Sequence, residues 1–119
     1  MDYEGVIDRE VLNNLLEAVG GDGEFLAELL ETFYADTPQQ FSAMHAALEN
    51  QEFDDFRRAA HSLKSNSANF GAMDLSQRAK TLEEMGKSGN LEQAGEALQG
   101  AETEYEKVKS ALEMIQKDG

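Results

Sequence analysis

The sequence predicts an all-α protein, an antiparallel four-helix bundle with an additional N-terminal helix. Three observations carry this expectation. The 119 residues include one proline and no tryptophan and are rich in the helix formers Leu, Ala, Glu and Gln. Apolar residues recur at spacings of three and four, and no stretch alternates as a half-buried strand would. The periodic segments are separated by short turns containing Gly or Asn, which favours antiparallel neighbours.

Asp8 is placed to cap a first helix reaching Val19, with Val11, Leu12, Leu15, Leu16 and Val19 as one apolar stripe. Gly20 and Gly21 end it, because glycine enters the left-handed region without strain. A second helix begins at Asp22 or Gly23, with Phe25, Leu26, Leu29, Leu30 and Phe33 inward. At Asp36-Thr37-Pro38 a break or kink is expected: Thr37 fits an N-cap, Pro38 the first helical position, and Gln40 completes a capping-box pattern. Phe41, Met44 and Leu48 then face inward as far as Asn50.

The next helix spans about 52–70 and closes at Gly71, and a shorter one follows over about 74–85. Residues 86–89 read as a loop. Asn90, with Gln93 in capping-box spacing, opens a last helix to about 116. Its apolar positions, Leu91, Ala94, Leu98, Ala101, Tyr105, Val108, Leu112 and Ile115, form the continuous seam of a long bundle helix. The four principal helices are therefore expected at 22–50, 52–70, 74–85 and 90–116, within a single domain covering residues 1–119.

Composition narrows the function. The absence of cysteine excludes disulfides, thiolate metal sites and cysteine nucleophiles. A net charge of −14 argues against nucleic acid as a partner, since its phosphates would be repelled. The N-terminus is acidic and no run of about 18 apolar residues occurs, so neither a signal peptide nor a membrane span is expected. The chain reads as a cytoplasmic protein that does not engage membranes.

Against this acidic background, residues 56–73 contain no acid and hold Arg57, Arg58, His61 and Lys64. On a helical wheel, Phe56, Ala60, Leu63, Ser67 and Phe70 share the core sector. Asp54, Arg57, His61, Lys64, Ser65 and Ala68 occupy a second sector about 120° away. His61 thus flanks the core and is expected to be exposed, with Lys64 one turn along. A free imidazole titrates near about pH 6.5, so its neutral form offers a nucleophilic lone pair, and a neighbouring lysine suits an arriving anion. A surface histidine beside basic residues is, on spacing alone, more often an ordinary solvated face. No His or carboxylate stands three or four residues from His61, which speaks against a metal site, and His45 reads as an ordinary surface residue.

The run from Ala59 to Ala72 resembles the signature of histidine-containing phosphotransfer (HPt) domains, approximately A-H-x-L-K-G-x-S-A-x-x-G-A. Gly20-Gly21-Asp22 with Phe25-Leu26 and Glu28-Leu29, then Phe33, Asp36 and Pro38, and finally Leu82-Glu83 are similar to further family segments. The resemblance implies that His61 is the phosphorylated residue, through its outward ring nitrogen. It also implies that Lys64 interacts with the phosphoryl group and that the structural Gly71 lets the next helix return closely. Arg57, Arg58, Ser65 and Ala68 would help dock the partner. One departure is Ser65, where the family usually has glycine.

The resemblance further implies a phosphorelay carrier without a kinase site of its own. Its partners would be response-regulator receiver domains and a sensor or hybrid histidine kinase. No cofactor is expected on the chain; the receiver would supply the aspartate and the Mg²⁺. A monomer is expected. The alternative is a helical adaptor that binds receivers without transferring phosphate. An autophosphorylating kinase is disfavoured, because the chain has no glycine-rich nucleotide loop.

Overall fold

The computed structural model describes residues 5–118. The acidic residues 1–4, on which the expectation of no signal peptide partly rests, lie outside the described residues. Five helices follow one another: α1 (Arg9–Ala18), α2 (Gly23–Asn50), α3 (Phe53–Asn69), α4 (Met73–Ser88) and α5 (Ala94–Asp118). Helices α2 to α5 form the up-down-up-down bundle, and α1 packs lightly against α2 and α3. The longest dimension, 43 Å, is close to the ~42 Å expected for the 28 residues of α2.

The caps at Asp8 and Asp22 form as anticipated; each carboxylate accepts two backbone N–H bonds from the first turn. At Thr37-Pro38 the structure corrects the expectation, because α2 runs through this point without interruption. Thr37 is fully buried and caps nothing. A proline inside a helix costs about 3 kcal/mol. Here Leu30, Phe33, Phe41 and Met44 form one continuous buried stripe across it, and that burial holds both halves in a single helix. Phe25, expected inward, is 46% exposed.

The later boundaries also shift. Residues 86–88 belong to α4, which ends in the left-handed Gly89. Asn90 accepts the N–H of Glu92 in a local turn, so α5 starts only at Ala94. Gly86 is buried in α4 because a Cβ there would come within 2.9–3.0 Å of the Arg57 Cβ, Cα and backbone N. The missing side chain lets α3 and α4, the most closely packed pair of helices, approach each other.

The core is one cluster that includes Phe33, Phe41 and Met44 of α2, Phe56 and Leu63 of α3, Leu75 and Leu82 of α4, and Leu98, Tyr105 and Leu112 of α5. Phe33 packs on Phe70 and Tyr105 at centroid distances of 5.0 and 5.8 Å. Burial raises the Tyr105 hydroxyl to about 12. Alpha-3 terminates in a Schellman motif, in which Ala72 N–H bonds Ser67 C=O and Gly71 N–H bonds Ala68 C=O. Gly71 has φ +81°, and its carbonyl accepts the N–H of Asp8 at 2.8 Å. A Cβ at Gly71 would lie 2.5 Å from the Asp8 carbonyl oxygen, so this glycine serves the N-terminal segment as well as the turn into α4.

Candidate functional site

The core positions Phe56, Ala60, Leu63 and Ser67 of α3 are all buried, and this fixes the rotation of the helix. His61 consequently lies on the outer side, with its side chain 56% exposed. The structure adds a group from α4: the Nδ1 of His61 lies 2.7 Å from Oε2 of Glu83. Glu83 is only 6% exposed, and its other oxygen accepts a hydrogen bond from Lys64 Nζ at 2.6 Å. One buried carboxylate therefore holds both residues singled out by the sequence.

Its charge state follows from its surroundings. The Lys64 ammonium, through its hydrogen bond, holds the Glu83 carboxyl below its ordinary value of 4.5; burial opposes this, and the contact with His61 reinforces it. An ionised carboxylate can only accept hydrogen bonds. The proton between Glu83 and His61 therefore sits on Nδ1, and in the neutral ring the lone pair is on Nε2, the nitrogen turned away from Glu83. Lys64, 30% exposed, stands beside the ring. The Ser76 hydroxyl donates to the Lys64 carbonyl at 2.9 Å, tying α4 to the backbone of α3 beside the site.

The expected docking residues are spread around this centre. Arg57 and Arg58 share Asp54, at 2.8 and 3.0 Å, and their guanidinium groups, Arg57 first, hold the Asp54 carboxyl below its usual range. Arg57 is partly covered by its close approach to Gly86, whereas Arg58 projects into solvent. Ser65 is exposed and Ala68 half-exposed. His45 lies away from the site on α2, with its Nε2 3.0 Å from Glu102. Among the described residues no cluster of His, Cys, Asp or Glu could hold a metal ion.

A model of the Hpt domain family matches residues 28–116. The chain belongs to the Hpt domain family. Among solved structures, histidine-containing phosphotransfer protein B (HptB) from Pseudomonas aeruginosa PAO1 superposes with a TM-score of 0.87, at 30% identity and over 96% of each chain. Among curated proteins none matches significantly. Hpt domains are phosphocarriers rather than kinases, and this chain is a histidine phosphotransfer intermediate of two-component signalling. Sensor kinases and response regulators are the partner classes of such a module. No helix among the described residues is long and apolar enough to cross a membrane.

Glu83 was visible to sequence reasoning only as half of a family pair, Leu82-Glu83, with no role attached. A signal was present, because Ser76, Ala79, Glu83 and Gly86 step by three and four along the inward face of α4. An acid on that stripe requires a buried partner. Its partner was not legible, since that depends on how α4 lies against α3.

Proposed function

We propose that His61 is the phosphoacceptor of this Hpt domain and that Glu83, which holds both His61 and Lys64, and Lys64 itself prepare it. The Nε2 lone pair attacks the phosphorus of a receiver's aspartyl phosphate. A P–N bond forms as the P–O bond to the aspartyl carboxylate breaks, and that carboxylate leaves. Nδ1 keeps its proton throughout, and the positive charge that the ring acquires is met by the Glu83 carboxylate. Lys64 neutralises charge on the phosphoryl oxygens, exchanging its hydrogen bond to Glu83 for one to the phosphoryl group. Transfer onward to a second receiver reverses these steps.

The observation that carries the reading is the 2.7 Å contact between the exposed imidazole and a buried, ionised carboxylate, which leaves Nε2 as the nucleophile. The chain acts as a cytoplasmic monomer without a cofactor; the receiver brings the Mg²⁺, and a sensor or hybrid histidine kinase is the ultimate source of the phosphoryl group. Arg57, Arg58, Ser65 and Ala68 form part of the surface a receiver covers. Incubation with a phosphorylated receiver tests the reading: wild type acquires acid-labile phosphate and His61→Gln acquires none. Labelling of His61→Gln at the wild-type rate would refute it. An adaptor without phosphotransfer would bind the receiver but remain unlabelled in both proteins.

A further inference from the structure

The charges of this protein are segregated in a way the phosphotransfer chemistry does not require. Three runs, residues 37–48, 56–73 and 75–82, contain none of the 24 acids and half of the 10 bases. The fold brings these runs together. Alpha-2 and α3 turn back on each other at Gln51, with Glu52 N–H bonded to Ala47 C=O at 2.8 Å, so 37–48 runs beside the first two-thirds of α3. The contacts of Lys64 with Ser76 and of His61 with Glu83 set 75–82 against the other side of the same stretch.

The orientation of each helix places specific side chains on this surface. On α4, Ser76 and Glu83 are buried against α3; Lys80 and Lys87 fall on the same stripe and are exposed, so they flank the His61 face. On α2, Tyr34 and His45 engage α5, which leaves Gln40 and the exposed Ala43 on the side toward α3. Ser62 and Ser65 are exposed on α3 itself. His61 therefore lies within a plateau of small uncharged side chains edged by the exposed Lys80 and Lys87, while Arg58 and Lys64 at its margin are each paired to a carboxylate, Asp54 and Glu83.

We propose that this plateau is an electrostatic window that selects and orients receiver domains whose rim around the phosphorylated aspartate is acidic. The proposal rests on the reading of His61 as the phosphoacceptor. An acidic partner is repelled by most of this molecule's surface and attracted only where the acids are missing. The helical part of the acid-free run in α3 is about 20 Å long. That is about twice the ~8–10 Å screening length at physiological salt, so an approaching partner senses the window separately from the acidic envelope. Steering of this kind acts on the association rate and weakens as salt is added.

The test is the rate of phosphoryl transfer from a phosphorylated, Mg²⁺-loaded receiver with an acidic rim, at subsaturating concentration and across ionic strength. Wild-type transfer slows as salt rises. Lys80→Glu/Lys87→Glu is slower by about tenfold at low salt and within about twofold of wild type at ~0.5 M salt. Lys107→Glu/Lys117→Glu makes the same change in net charge on exposed positions of α5 and alters transfer by less than about twofold. Phosphoramidate, a small donor that needs no docking, labels wild type and both variants equally.

Equal transfer by the α4 and α5 variants at low salt would overturn the proposal, as would wild-type transfer that speeds up with salt. Loss of phosphoramidate labelling in the α4 variant would also overturn it, by placing the effect in the chemistry. Labelling of His61→Gln by the phosphorylated receiver at the wild-type rate would refute the assignment of His61 itself, so the two readings fail separately.

Discussion

Glu83→Gln separates the two tasks given to this carboxylate. The substitution keeps the shape and one carbonyl oxygen that can still accept the His61 Nδ1–H. It removes the charge that fixes the proton on Nδ1 and turns the other arm into an NH₂ donor facing the Lys64 ammonium, now 2.6 Å from Oε1. A hydrogen bond to a charged group contributes about 1.5–3 kcal/mol and a neutral one about 0.5–1.5 kcal/mol. The difference, roughly 1–1.5 kcal/mol, corresponds to a loss of about five- to tenfold in the rate of transfer to His61. Glu83→Ala removes the bond altogether and should lose about 10- to 100-fold. Rapid-quench measurement at saturating phosphorylated receiver reads the chemical step, and thermal unfolding of the same samples confirms that the bundle is intact. Wild-type rates in both folded variants would show that Glu83 neither orients nor activates the ring.

Two further predictions concern how the site is held. Gly86→Val should lower stability by about 2 kcal/mol, or roughly 8 °C in Tm, because its Cβ would meet the Arg57 Cβ at 2.9 Å and the Arg57 Cα and backbone N at 3.0 Å and force α3 from α4; an unchanged Tm in a thermal scan would contradict this. The pH dependence of stability should carry the imprint of Glu83. Its folded pKa lies below its ordinary value of 4.5, so the stabilisation is complete above that value and is lost as pH falls through the lower, folded one. Urea midpoints measured from pH 6 to pH 3 should therefore fall more steeply for wild type than for Glu83→Gln; parallel curves would mean that the Lys64–Glu83–His61 contacts contribute no net stability. Asp54 is lowered as well, but it is solvent-exposed and screened, so little of the wild-type slope should come from it.

Helix content and bundle architecture were legible because both rest on local information. The three- and four-residue spacing of apolar positions defines a buried stripe whatever lies across from it, and the Asp8 and Asp22 caps involve only the next three residues. The errors came where distant packing overrode a local signal. Thr37-Pro38 has the sequence of a helix start, yet Phe33, Phe41 and Met44 bury on one continuous stripe and carry α2 across it. Gly86 suggests a loop, but its missing side chain serves the contact with Arg57 one helix away.

The same division runs through the site. The sequence by itself determined that His61 is exposed, since Phe56, Ala60, Leu63 and Ser67 must face the core. It also determined that Lys64 lies one turn away and that acids are excluded from 56–73. These follow from helix periodicity and composition. Only the tertiary structure decided that Glu83 meets Nδ1 of the ring, that the Nε2 lone pair is therefore the one presented, and that three acid-free runs on three different helices lie side by side. The reason is physical: proton placement and surface potential depend on distances between helices, and those distances are set by the packing of α2, α3 and α4.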